Sequence, residues 1–472
     1  MEKFFTRVCG CMVAAVLMVA MSAQAFATSK TVSVTEAGTL STLIPASEKN
    51  AITSLTVSGT LNGTDIRFIR EMAGLDIEGE TTDGKLTELN IAGIELTDGG
   101  DAYYEDAWSK YYTATSYDVS EDNDLYYCTD LSYAFTGTKL DKAAFDGCSS
   151  LTEITLPKKL KTLGEAVFEG CTALEAINVA EGNASFASAD GVLFNKAKTN
   201  LLAFPAGKTG AYAVPSGTEE IAASAFSRCV GLSAITLPET LTTIGDEVFY
   251  RCTGLTKLTL PNSVTSIGES FVYRSSALKS VTLGSGMNTV GESMFYYANG
   301  LESIDVPEGY TSIGYEAFAS CSALKSVTLP STIGAIAAEA FYGCSALESF
   351  TIKVAAPIAI TADVFEDVDL NTCVLNVPEE GVEAYKADAQ WGKFKNINGI
   401  MPSGVNDVVS SIDASVSVAD GVLTIDGAKS DISVYNIGGV RLANGSVRLS
   451  VTLSEGVYIV TLNGKATKVI VK

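Results

Sequence analysis

One residue returns at a fixed distance along this chain. The segments AFDGCSSL, VFEGCTAL, AFSRCVGL, VFYRCTGL, AFASCSAL and AFYGCSAL place Cys148, Cys171, Cys229, Cys252, Cys321 and Cys344 in one frame, with successive pairs 23 residues apart. Between Cys252 and Cys321 lie two further frames, where Ser275 (SFVYRSSAL) and Ala298 (MFYYANGL) stand in the cysteine's place. A fixed period of this length means a solenoid, because each unit cannot bury its apolar face alone and must stack on its neighbours. Such an array also accommodates 472 residues, too many for one ordinary compact core.

Each unit reads L-x-x-(I/V)-T-L-P-x-x-(I/L/V)-x-x-I-G-x-x-(A/V)-F-x-x-C-x-x-L. Its first part alternates, as in Leu278-Lys-Ser-Val281-Thr-Leu283, which predicts a short strand with Val281 and Leu283 inward and Thr282 outward. Pro261 or Gly284 ends such a strand. Ile267-Gly268 turns the chain, and a short helical turn brings the phenylalanine back to the core. Stacked copies give a parallel sheet on one face and short turns, 3-10 pieces or one-turn helices on the other.

The copies also say what the cysteine is. A nucleophile or a metal ligand could not be exchanged for alanine, whereas a small buried filler could. Disulfides between neighbouring rungs are the rival reading, open to a secreted chain. Ser275 and Ala298 interrupt any such column, so buried free thiols are expected.

Charge and composition exclude several function classes. With 32 basic and 55 acidic residues the net charge is −23, a field that repels phosphate backbones and anionic membranes, so no nucleic-acid partner is expected. The chain contains no histidine, which removes Ser-His-Asp and Cys-His catalysis and the commonest zinc ligand. No metal and no cofactor are expected. Residues 1–27 read as a signal peptide: a basic start in MEKFFTR, the apolar run Val8–Ala20, and a small-x-small site at Ala25-Phe26-Ala27. The run is shorter than a transmembrane span of about 20 residues, so no integral membrane segment is expected after cleavage.

The motif LKSVTLPSTIGAIAAEAFYGCSAL (Leu324–Leu347) resembles the BspA-like leucine-rich repeats of bacterial surface proteins, with regular copies over 144–350. The segment Phe186–Phe226, which interrupts the period, fits a strand-turn-strand excursion of that family. Irregular rungs such as ITSLTV (52–57) and LTELNI (86–91) extend the solenoid towards residue 28, through an irregular part over 28–143. Residues 351–400 resemble the family's closing cap, with Trp391 and Phe394 sealing the last rung.

After a linker at 401–411, residues 412–472 alternate as strands joined by Gly-Gly, Asn-Gly and Glu-Gly turns, which predicts a small all-β sandwich. VYNIGGVRL, LSEGVYIVTLNG and the terminal KVIVK resemble the C-terminal sorting domain of the bacterial type IX secretion system. That resemblance implies passage across two membranes, with the secretion machinery as a partner of this domain. It also implies a secreted or outer-surface location.

Two surfaces stand out as candidate ligand-binding sites. The two residues before the cysteine position vary between rungs, and three successive rungs carry Tyr250-Arg251, Tyr273-Arg274 and Tyr296-Tyr297. Tyr and Arg are enriched at binding hot spots and stack on sugars or peptides; against this, Tyr covering a core edge beside solvated Arg is an ordinary surface. The second is Asp101–Tyr127, which breaks the repeat with seven Tyr, one Trp and seven acidic residues, and offers Trp108, Tyr111 and Tyr112. Its Asp122-Asn123-Asp124 does not complete an EF-hand loop. A third column, Thr155, Asn178, Thr236, Thr259, Thr282, Asp305, Thr328 and Thr351, reads as strand propensity on a half-exposed sheet.

The expectation is a non-enzymatic, adhesin-like binding protein, secreted or on the cell surface, with a host or microbial surface protein or glycan as partner. The alternatives are a polysaccharide-acting enzyme or accessory protein, which needs two carboxylates about 5–9.5 Å apart, and a structural surface coat. Glu165, Asp246, Glu269 and Glu292 recur at turn starts as solvated residues, which speaks against the enzyme.

Overall fold

The computed structural model describes residues 28–103, 139–140, 143–400, 415–419, 422–454, 456–462 and 465–471. The expected signal peptide, the whole linker, Asp122-Asn123-Asp124, and the candidates Trp108, Tyr111 and Tyr112 lie outside them.

The chain winds as a ladder of stacked rungs. One long parallel sheet runs through Lys257–Thr259, Ser280–Thr282, Ser303–Asp305, Ser326–Leu329, Ser349–Ile352, Val374–Pro378 and Asn396–Ile400. An earlier parallel sheet joins Thr28–Val34, Ile52–Leu61, Glu88–Leu96, Glu153–Leu156 and Ala176–Val179. A second side carries two-residue strands at the Ile-Gly position, such as Thr243–Ile244 beside Ser266–Ile267. Paired residues are 23 apart in the regular region, for example Leu258 with Val281, so each side chain lies over its equivalent.

The third side is built of turns, the first of the three forms the repeat allowed. Inside a rung, Tyr250 N donates to Glu247 O (3.0 Å) and Leu255 N to Cys252 O (3.2 Å). Between rungs, Glu247 N, Phe249 N and Arg251 N donate to Glu269 O, Phe271 O and Tyr273 O, each at 2.9 Å. Backbone groups that a turn would leave unpaired are thereby satisfied along the solenoid axis. Two residues per turn adopt positive φ, one immediately before the cysteine position and one four residues earlier: Arg251 and Glu247, Arg274 and Ser270, Tyr297 and Ser293. Gly147, Gly170 and Gly343 occupy the first of these positions in other rungs.

Phenylalanines stack through the core. Phe295, Phe318 and Phe341 lie 5.0 and 5.2 Å apart with planes within 4°. In the Ser275 rung, buried Val272 takes the phenylalanine's place and Phe271 moves one position back, meeting Phe249 edge-on at 74°.

The cysteine column is buried, and the seven described cysteines are free. It also has a polar role. Cys252 Sγ donates to Phe226 O (3.0 Å), Cys321 Sγ to Phe295 O (3.1 Å) and Cys344 Sγ to Phe318 O (3.2 Å). Ser275 Oγ makes the same bond to Phe249 O at 2.6 Å, which explains why serine is accepted there.

The excursion is shorter than the sequence suggested. Phe186–Ala189, Val192–Asn195 and Asn200–Ala203 form its antiparallel strands. From Gly210 the ladder resumes: Gly210–Ala213 pairs in parallel with Leu232–Thr236, and Glu220–Ile221 with Thr243–Ile244. Tyr212 stands where a repeat strand normally carries an aliphatic residue, which hid this rung. Before the regular repeats, a helix at Gly63–Met72 replaces the turn side, capped by Asn62 and Asp65 in a reciprocal capping box.

Trp391 is fully buried at the last rung. Its Nε1 donates to Ile358 O (2.8 Å), and its ring meets Phe365 (5.6 Å), Tyr385 (5.4 Å) and Phe394 (6.3 Å). Beyond it, the C-terminal strands form one antiparallel sheet rather than two separate ones. The paired long strands Val422–Asn436 and Arg441–Thr452 lose register between Asp426 and Asp431 and curl into a half-barrel. Ser415–Ala419 pairs with the first half of Val422–Asn436, and Gly456–Leu462 with the second. Leu423, Ile425, Ile432, Val434, Val460 and Leu462 fill its inside.

Burial pushes the thiols of Cys252 and Cys344 up to about 12, and those of Cys171, Cys229 and Cys321 well above the ordinary value. The folded protein should therefore resist iodoacetamide at pH 8, and each described cysteine should react after denaturation. Because the folded values are raised, this contribution to stability is whole below pH 9.0 and is lost as pH climbs towards about 12. Chemical denaturation across that range should show the decline, and a Cys252→Ser variant should show a shallower one. Trp391→Ala should cost about 3–5 kcal/mol in the same assay.

Candidate functional site

The turn side places Tyr250, Tyr273 and Tyr296 in one file. Their backbones sit in equivalent turns of adjacent rungs, and neighbouring strands lie about 4.8 Å apart. Tyr250 and Tyr273 stack with centroids 5.5 Å apart and planes at 12°; Tyr273 and Tyr296 stack at 5.4 Å and 6°. Tyr297 meets Tyr296 edge-on at 4.7 Å and Tyr273 at 5.8 Å. All four are half-buried. Burial, followed by Glu316 and the neighbouring tyrosines, raises the Tyr296 hydroxyl's pKa, so it remains a donor.

Arginines flank the file. Arg251 lies 5.2 Å from the Tyr250 centroid, and Arg274 lies 5.1 Å from Tyr273 and 5.7 Å from Tyr297. Arg228 adds a third contact, 5.8 Å from Tyr250. The sequence showed it in the same column but it escaped notice, because its partner in that rung is Ser227 rather than tyrosine. Arg228 also pairs with Glu169 at 3.5 Å, whose carboxylate accepts from Ser227 Oγ at 2.9 Å. Among the described residues, no carboxylate forms an ion pair with Arg251 or Arg274.

This geometry changes what the column can do. Mutual stacking covers both faces of Tyr273 and the inner faces of Tyr250 and Tyr296, so a sugar cannot lie flat on the file. What remains presented is a row of ring edges, hydroxyl groups and guanidinium groups. Ring edges carry the positive end of the aromatic quadrupole, and each cation–π contact adds about 0.5–1 kcal/mol at an exposed site.

The other columns are placed as well. Thr259 pairs with Thr282, and Asp305 with Thr328, in register on the long sheet. Of the aromatic insertion, Tyr103 is buried and Asp101 closes on Thr64, whose Oγ1 accepts from Asp101 N at 2.9 Å. Three clefts carry carboxylates. One of about 190 Å³ lies between Leu163–Glu169 and Ala222–Ser227, where the excursion separates two rungs. One of about 410 Å³ lies between Glu308, Lys353 and Glu380 on the solenoid and Gly438 and Val440 on the C-terminal sheet. One of about 450 Å³ holds Glu153 and Glu175. In each, a carboxylate ties neighbouring rungs: Glu169 as above, Glu308 by accepting from Ser331 N (3.1 Å) and Oγ (2.9 Å), and Glu153 by accepting from Asn178 Nδ2 (2.7 Å). Among the described residues no cluster of metal-ligating side chains occurs, and no helix is long and apolar enough to cross a membrane.

The profile of the BspA type leucine-rich repeat region matches residues 122–207, 203–324 and 293–385, more than half of the chain. The chain belongs to the BspA type leucine-rich repeat family. Proteins built of these repeats are generally non-enzymatic binding scaffolds, typically secreted or on the cell surface, and no catalytic family is indicated. Among solved structures, the chain is similar to a leucine-rich repeat protein from Eubacterium ventriosum, at 22% identity over 72% of this chain and 90% of that one, TM-score 0.46. It is similar to the pneumococcal vaccine antigen PcpA, at 22% identity over 75% and 80%, TM-score 0.41. It is also similar to a leucine-rich cell surface protein from Faecalibacterium prausnitzii, at 21% over 69% and 83%, TM-score 0.37. No curated protein matches it.

Arg251 and Arg274 occupy positive-φ positions that glycine fills elsewhere. Relief of about 1–2 kcal/mol of backbone strain is offset by glycine's unfolded-state entropy of about 0.5–1 kcal/mol and the lost cation–π contact. Arg251→Gly/Arg274→Gly should therefore stay within about 1 kcal/mol of the parent in denaturant titrations. Tyr273→Ala, which removes the middle of the stack, should cost about 1–3 kcal/mol in the same titrations.

Proposed function

We propose that the protein is an adhesin-like, non-enzymatic binding protein that recognises a surface protein or glycan through the turn side of its solenoid. The observation that carries this reading is the file of Tyr250, Tyr273 and Tyr296 with Arg251 and Arg274 alongside. Several other rungs fill the same two positions with acidic, small or glycine residues, Asp146-Gly147, Glu169-Gly170, Ala319-Ser320 and Glu366-Asp367, while Tyr342-Gly343 carries a single tyrosine. Core packing therefore does not require tyrosine and arginine there. On a rigid scaffold, a run of aromatic and arginine residues concentrated in adjacent rungs is the composition of a recognition patch.

The composition of the two ends of the chain supports delivery to the surface. Residues 1–27 have the composition of a signal peptide, and VYNIGGVRL with LSEGVYIVTLNG resembles a type IX sorting domain. On this reading the C-terminal half-barrel engages the secretion machinery and the solenoid is presented outside the cell. A hydrolytic role is disfavoured, since Glu153, Glu169 and Glu308 in the clefts are engaged in holding rungs together.

The test is a binding screen of the purified protein against glycan arrays and extracellular-matrix proteins, beside Tyr250→Ala/Tyr273→Ala/Tyr296→Ala. Saturable binding that drops at least about tenfold in the variant, with its circular dichroism preserved, is the expected result. Binding unchanged in the folded variant would remove the tyrosine file from the site.

A further inference from the structure

Resting on that reading, we infer that the tyrosine–arginine file takes an anionic glycan, a polysaccharide carrying carboxylate or sulfate groups, rather than a neutral sugar. Three observations combine.

The first is what the stack hides. Neutral sugars gain affinity on aromatic surfaces by laying C–H faces on an open ring. Here Tyr273 is covered on both sides, Tyr250 by Tyr273 and by Arg251, and Tyr296 by Tyr273 with Tyr297 edge-on. The groups left at the surface are hydroxyl donors, ring edges and guanidinium groups, all of which favour negative charge.

The second is charge placement. The chain carries a net charge of −23, yet Arg228, Arg251 and Arg274 stand in three successive rungs. At the nearby positive-φ position the Tyr273 and Tyr296 rungs hold Ser270 and Ser293, while Glu247 stands in the Tyr250 rung itself and Glu316 and Glu339 in the two rungs beyond the file. In the column of the tyrosines and arginines themselves, Asp146 and Glu169 precede the patch and Glu366 and Asp367 follow it. Arg251 and Arg274, without an ion-pair partner among the described residues, are available to an incoming anion. An arginine engages carboxylate or sulfate through paired N–H donors.

The third is spacing. Rungs repeat at the strand separation of about 4.8 Å. An extended peptide presents side chains on one face about twice 3.3 Å apart, and runs out of step with the arginines. A pyranose unit is about as long as one rung separation, so a few charged sugar units span the rungs that carry Arg251 and Arg274. The flanking acids would repel a chain that overshot the patch, limiting the site to a few sugar units.

The experiment measures binding of the full chain to heparin, polygalacturonate, dextran and poly-glutamate at low and high salt, with Arg251→Gly/Arg274→Gly and Tyr250→Phe/Tyr273→Phe/Tyr296→Phe. Heparin or polygalacturonate should bind, weaken at least about tenfold as salt screens the charges, and lose at least about tenfold in the arginine variant. The phenylalanine variant, which keeps the stack and removes the hydroxyls, should lose about three- to tenfold. Preference for poly-glutamate would replace the glycan with an acidic polypeptide and overturn the inference. A neutral ligand found in the screen, lost in the tyrosine-to-alanine variant yet kept in the arginine variant, would overturn it while leaving the adhesin reading intact. Absence of any binding to the four probes, with a ligand mapped elsewhere on the solenoid, would overturn both.

Discussion

Everything in this molecule depends on one rung accepting the next. A single unit buries too little to be stable, and its turn would leave backbone N–H and C=O groups unpaired. Stacking solves both problems together. The long strands, the two-residue strands and the turn side each hydrogen-bond along the axis, as Leu258 over Val281 and Phe249 over Phe271 illustrate. Phenylalanines and cysteines then fill the inside in columns. The thiol, which the repeat presents as a small filler, also donates to a carbonyl of the preceding rung. Ser275 retains that donor and Ala298 does without it.

Stacking at a fixed period has a second consequence. Any residue chosen at an outward position becomes part of a column at strand spacing, and three adjacent choices make a surface feature. Tyr250, Tyr273 and Tyr296 are such a case: the scaffold brings their rings face to face at 5.4 to 5.5 Å without any contact designed between distant parts of the sequence. The same register that protects the core gathers arginines in a chain that is otherwise strongly acidic. The surface of this architecture can change rung by rung, because most residues at the two positions before the cysteine are at least partly exposed.

The two ends need different solutions. Trp391, Tyr385 and Phe394 cover the last phenylalanines, with the indole N–H satisfied by Ile358 O. At the start, the helix Gly63–Met72 takes the place of turns, and Asp65 caps it while also accepting from Leu40 N at 2.9 Å. The C-terminal sheet is tied to the cap by the Arg441–Glu379 ion pair and a bridge between Ile400 and Val440.

The sequence by itself determined the period, the inward residues, the free thiols, the closing tryptophan and which side chains share a column, because identical units must stack in register. It did not reveal the early return of the ladder at Gly210, since Tyr212 breaks the aliphatic pattern that marks a strand. Nor did it distinguish two sheets from one curled sheet at the C-terminus, since alternation reports which side is apolar and not how strands are bent. The tyrosines were visible as neighbours, but whether their faces were open or covered was not. Only the tertiary structure decided that, because ring orientation follows from the positive-φ turns and the axial hydrogen bonds that set each rung against the next.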